Sequence, residues 1–133
     1  MDAEPDAVDN QITVLIVDDE DDIRVLVRSL LERSGMQVVD EADDGIEALI
    51  SVSQLDPPPV PTVIVLDQSM PGLSGLEVAE RVLARLPDQR IVLFSAFLSR
   101  DVMSQAQGLG VRACVPKTDI LRLAEIITDL SAA

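Results

Sequence analysis

Ile12-Thr13-Val14-Leu15-Ile16-Val17 runs straight into Asp18-Asp19, and the lack of polar alternation in that run decides the fold. A strand with one wet face alternates apolar and polar residues. A continuous β-branched run suits a strand covered on both faces, as in a parallel sheet. Two more runs share this character: Val63-Ile64-Val65-Leu66, ending in Asp67, and Ile91-Val92-Leu93-Phe94, ending at Ser95. Between the first two the apolar spacing turns helical through Ile23, Val27, Leu30 and Leu31, predicting a helix over residues 21 to about 34. Its acidic first turn (Glu20, Asp21, Asp22) and Gly35 just past its end mark the boundaries.

The alternation repeats outward from there. A weaker strand is expected over 37–42, and Asp43-Asp44-Gly45 opens a helix to about residue 54. Ser74 with Glu77 three residues on forms a capping box for a helix to about residue 85. A short helix follows over about 99–108, where Gly108 and Gly110 are expected to break it. A short strand over 111–115 and a last helix over about 118–130 complete the chain. Strands alternating strictly with helices imply an α/β fold with right-handed crossovers on both faces of a parallel sheet. The expected architecture is a flavodoxin-like (βα)5 three-layer sandwich with strand order 2-1-3-4-5. Residues 1–11 are polar and acidic and read as a flexible tail, leaving 12–133 as one domain. The Pro-rich segment over 55–61 reads as a stiff loop rather than a polyproline ligand.

Composition narrows the function. Of 133 residues 47% are hydrophobic, but aromatics are limited to two Phe, so the core must be aliphatic. Twenty-four acidic side chains against ten basic ones give a net charge of −14, which disfavours direct nucleic-acid binding and suits a cation or a basic partner. Histidine is absent, which removes His metal sites, Ser-His-Asp triads and phosphohistidine on this chain. The one cysteine, Cys114, has no internal disulfide partner, so a reducing cytoplasmic setting is expected. Neither a signal peptide nor an apolar stretch of about 18 residues is visible, so no membrane contact is expected.

In open α/β sheets of this order, ligands sit beyond the carboxyl ends of the first and third strands. There the sequence places Asp18-Asp19 and Asp67, on neighbouring strands about 4.8 Å apart. Ser95 ends the fourth strand, and Lys117 follows the fifth. Three converging carboxylates repel one another unless a hard divalent cation such as Mg2+ joins them. A carboxylate nucleophile, such a cation, a lysine and a hydroxyl are the parts needed to receive a phosphoryl group. Taken singly, each residue is ordinary: a helix cap, a turn aspartate, loop filler, surface. Their joint placement carries the reading.

Val14-Leu15-Ile16-Val17-Asp18-Asp19-Glu20, then Val65-Leu66-Asp67-Gln68-Ser69-Met70-Pro71-Gly72, then Leu93-Phe94-Ser95-Ala96, then Pro116-Lys117 resemble the successive motifs of response regulator receiver domains. The resemblance implies a two-component signalling switch in which Asp67 takes a phosphoryl group from a sensor histidine kinase or a phosphotransfer protein. It further implies that Asp18, Asp19, Asp67 and the backbone carbonyl of Ser69 hold Mg2+, that Lys117 contacts the phosphoryl group and that Ser95 closes on it. The downstream partner would be a protein target or an output domain outside this chain, with a phosphorylation-linked dimer as a further candidate. The sequence departs from the family at two places. Thr118 follows Lys117 where a proline is usual, so the loop is expected to run differently, and Cys114 stands where an aromatic usually swings inward. Phe97 is the remaining aromatic near the pocket mouth. Two other readings compete: a receiver-fold binding module working without phosphorylation, and a small aspartyl-phosphate phosphatase. The latter needs Asp-x-Asp, whereas this chain has Asp67-Gln68-Ser69.

Overall fold

The computed structural model describes residues 11–55 and 61–132. The expected tail therefore lies almost wholly outside the described residues, as does the centre of the Pro-rich connection. Five strands, β1 (Thr13–Val17), β2 (Gln37–Ala42), β3 (Val63–Leu66), β4 (Arg90–Ser95) and β5 (Ala113–Pro116), form one sheet in the order β2-β1-β3-β4-β5. Every pairing is parallel. Four α-helices connect them, α1 (Asp21–Arg33), α2 (Gly45–Leu55), α3 (Gly75–Arg85) and α4 (Arg100–Leu109), and α5 (Leu123–Ala132) follows β5.

The non-alternating strand runs now have their physical cause. Leu15, Val17, Ile64, Leu66, Ile91 and Leu93 point to one face, where Ala48, Val52, Val78, Ala79, Val82 and Ala106 of α2, α3 and α4 cover them. Val14, Ile16, Val63, Val65, Val92 and Phe94 point to the other, under Val27 and Leu31 of α1 and Leu123 and Ile127 of α5. Successive residues are apolar because both faces are dry. The α3 capping box forms as expected, with Ser74 Oγ accepting from Glu77 N–H and Glu77 Oε1 accepting from Ser74 N–H.

Three boundaries differ from expectation. Gly108 does not end α4, since a helical glycine costs only about 1 kcal/mol. The helix stops at Gly110, whose φ of 102° gives the left-handed cap. Val111 donates its N–H back to Ala106 in that cap, which delays β5 to Ala113. The last helix is in two parts: a 3-10 segment (Lys117–Arg122), interrupted by the non-helical backbone of Asp119 (φ −101°, ψ 27°), then α5. Thr118 thus stands inside a tight turn that starts at Lys117 itself. Among the described residues, no helix is long and apolar enough to cross a membrane.

Phe94 is the largest fully buried side chain, while Leu121 of the 3-10 segment is 82% exposed. Phe94→Ala should cost about 3–5 kcal/mol through cavity formation, and Leu121→Ala should stay within about 0.5 kcal/mol of wild type. Urea unfolding followed by circular dichroism checks both, as the chain has no Trp or Tyr to report.

Candidate phosphoryl-acceptor site

The site is built where β1 and β3 end side by side. Val17 pairs with Leu66, so the next residues, Asp18 and Asp67, emerge together. Their backbones stay tied to the sheet: Asp67 N–H donates to Val17 O at 2.9 Å and Asp18 N–H to Ala42 O at 3.1 Å. Both carboxylates are consequently fixed, and both are buried. Asp19, one residue further on, is exposed. Carboxylate oxygens of Asp18, Asp19 and Asp67 all lie within 4.8 Å of one another.

The neighbouring strands supply the counter-groups. Ser95, buried at the end of β4, donates its hydroxyl to Asp67 Oδ1 at 2.8 Å. Ser69 N–H reaches the same oxygen at 3.4 Å from the exposed loop beyond β3. Lys117, directly after β5, places Nζ 2.8 Å from Asp18 Oδ2, 2.9 Å from Glu20 Oε1 and 3.4 Å from Asp67 Oδ2. All the sequence-predicted side chains therefore meet at one end of the sheet. Ser95 already points inward, so no swing is needed to bring it to Asp67.

Glu20 and Arg24 were not singled out by sequence. Glu20 reads there as one of several acids in a helix's first turn, yet its carboxylate crosses to Lys117. Arg24 donates to the backbone carbonyl of Asp18, to Asp21 and to Glu41 of β2, bracing the acidic loop from behind. Its spacing three residues after Asp21 was the one available hint. Gln68 was also missed; its side chain turns away from the pocket toward α3.

Electrostatics follow from this crowding. Burial pushes the Asp18 carboxyl above its ordinary 3.8, and the charge of Asp67 adds to this, against the bonds from Lys117 and from Glu20 N–H. Burial pulls the Lys117 ammonium down, but its bonds to Asp18 and Glu20 and the field of Asp67 outweigh that and hold it above its ordinary 10.5. One ammonium divided among three carboxylates cannot fully neutralise Asp18. An all-oxygen donor set with surplus negative charge fits a hard divalent cation such as Mg2+.

A sequence model of the response regulator receiver domain matches residues 14–128. This chain belongs to that family. Among curated proteins, the receiver is 36% identical over 106 residues to a protein-glutamate methylesterase/protein-glutamine glutaminase of Hahella chejuensis, covering 78% of this chain and 29% of that protein. It is 39% identical over 82 residues to the response regulator GacA of Pseudomonas protegens, covering 61% and 37%. The chain thus spans little more than a third of these relatives at most. It is 27% identical to the chemotaxis protein CheY of Listeria monocytogenes, covering 80% of this chain and 86% of that one. Among solved structures, a LuxR-family response regulator from an Aurantimonas species matches with a TM-score of 0.84 at 27% identity, over 92% of this chain and 86% of that chain. The receiver domain of a putative NarL of Mycobacterium tuberculosis gives 0.78 at 29%, over 92% and 98%.

A raised native pKa means that folded Asp18 holds its proton more tightly than unfolded Asp18. Its contribution to stability is full below the unfolded value near 3.8 and is lost as pH rises through the raised native value. In metal-free buffer Asp18→Asn should lack that loss, so its stability relative to wild type should increase across this window. Urea midpoints measured at stepped pH check the sign.

Proposed function

We propose that this receiver is a phosphoryl-accepting switch in which Asp67 takes the group from a sensor histidine kinase or a phosphotransfer protein. One observation carries the reading: a buried carboxylate at a strand end, bonded by Ser95 Oγ and facing the Lys117 ammonium, inside a cluster of further carboxylates. An Asp67 oxygen attacks phosphorus and forms an acyl-phosphate P–O bond as the donor's P–N bond breaks. The departing imidazole keeps the bonding electron pair and takes up a proton. Phosphorus changes no oxidation state, and the phosphoryl group adds about −1.5 to −2 charge.

The chain's own residues do the positioning. Ser95 O–H, now donated to Asp67, is placed to turn to a phosphoryl oxygen. Lys117, now shared with Asp18 and Glu20, is placed to follow the new charge. Asp18, Asp19, Asp67 and the Ser69 carbonyl would hold Mg2+, which supplies neutralisation of the phosphoryl oxygens when bound. The receiver unit spans residues 12–133, with 1–11 as its tail.

In this reading the chain acts in the cytoplasm without direct nucleic-acid contact, as a switch rather than an enzyme with turnover on other substrates. Its output goes to a protein target or to an output domain outside this chain, with phosphorylation-linked dimerisation as one form. Phe97, 76% exposed between β4 and α4, is the aromatic side chain placed to respond where Cys114 replaces the usual one.

Incubation with Mg2+ and acetyl phosphate should add one phosphoryl mass to wild type and none to Asp67→Asn. Equal labelling of the two would remove Asp67 as acceptor. Mg2+ alone should stabilise wild type by about 2.7 kcal/mol at a hundredfold excess over Kd. Asp19→Asn should lose most of that gain in thermal melting.

A further inference from the structure

The loop from Asp67 to α3 is closed on itself, and one residue closes it. The first N–H groups of a helix have no partner within the helix. In α3 those of the first three residues are all satisfied, two of them by Gln68. Gly75 N–H donates to the Gln68 carbonyl at 3.0 Å, and Leu76 N–H to its side-chain Oε1 at 2.8 Å. Only Glu77 N–H uses the Ser74 cap, at 3.2 Å. The helix also lies directly on the acceptor's peptide. A Cβ on residue 75 would come within 2.4 Å of Asp67 O and 2.9 Å of Gln68 Cα, so glycine alone permits the approach.

Gln68 is covalently joined to Asp67 on one side and to Ser69 on the other. Its carbonyl belongs to the peptide that carries Ser69 N–H, which reaches Asp67 Oδ1. Tying that peptide and the Gln68 side chain to a helix terminus restrains the backbone rotations that would carry the Asp67 side chain out of place. A leucine at 68 would keep the volume but leave Leu76 N–H without its acceptor.

We infer that Gln68 is a positioning residue for phosphoryl transfer, holding Asp67 in register by capping α3 with both its carbonyl and its amide oxygen. The inference rests on Asp67 being the acceptor. Its effect falls on the transfer step and not on donor binding, because the Gln68 side chain faces α3 and not the Lys117 side of the pocket.

The test measures phosphorylation of the full chain by acetyl phosphate with saturating Mg2+, read by intact mass over a range of donor concentrations. Gln68→Leu should lower the rate at saturating donor about fivefold, the kinetic equivalent of one neutral hydrogen bond, with the half-saturating concentration unchanged. Gln68→Glu retains an acceptor at the helix N-terminus and should stay within about twofold of wild type. Ser74→Ala removes the other cap of the same helix and separates positioning from helix stability. It should lower the melting temperature but leave the rate near that of wild type. A Gln68→Leu rate equal to wild type, a Ser74→Ala rate as low as that of Gln68→Leu, or a Gln68→Glu rate no better than Gln68→Leu would each overturn the inference alone. A wild-type chain that takes no phosphoryl group would overturn the acceptor reading, and this inference with it.

Discussion

Two carboxylates buried next to each other at the ends of β1 and β3 are the constraint on which the rest of the structure depends. Register alone puts them together, because Val17 lies opposite Leu66 and both backbones remain bonded to the sheet for one residue more. Like charges at this spacing disfavour the folded state unless something answers them. The answer comes from the other side of the sheet. β4 brings a hydroxyl and the end of β5 brings an ammonium, while Arg24 of α1 braces the loop through the Asp18 carbonyl. The strand order 2-1-3-4-5 is what lets residues 18, 67, 95 and 117 share one pocket.

A site under such electrostatic stress needs a scaffold that does not relax around it. The central strands β1, β3 and β4 supply this with apolar interiors buried on both faces, so the centre of the sheet cannot open without exposing two aliphatic layers. The edge strand β2, by contrast, carries Asp40 and Glu41. In the proposed reading, function is kept here at a cost in stability that the core offsets. The same division explains why the polar residues of consequence sit at strand ends and in loops rather than within strands.

That division also sets what could be read from the sequence. The interiors of β1, β3 and β4 were legible because both-face burial leaves an uninterrupted apolar run, and α3 because Ser74 and Glu77 cap it locally. The strand-end residues were legible as a set because topology alone brings them together. How charge is shared among them was not. Glu20 meets Lys117 across 97 residues and Arg24 meets Glu41 across 17, and neither contact leaves a periodic trace. Gly108 misled because a glycine within a helix and a glycine ending one differ in φ, and of the two only Gly110 takes the left-handed value. The 3-10 turn after β5 was hidden for a related reason, since its apolar spacing is compatible with an α-helix and only the backbone of Asp119 departs from it.

The turn matters because Lys117 is its first residue. α5 is anchored at once by Leu123 and again by Ile127, both fully buried. Between Lys117 and that anchor lie residues with no buried member and one non-helical backbone. A single ammonium stands 2.8 Å from Asp18, 2.9 Å from Glu20 and 3.4 Å from Asp67, so in the proposed switch added charge at Asp67 would draw it toward the partner it now holds least closely. In the proposed switch Lys117 is the group placed to follow that charge, and it opens the 3-10 segment from which Leu121 projects into solvent. A charge at the end of β3 and the far edge of the sheet are thus joined through one side chain, and the apolar core between them takes no part in that link.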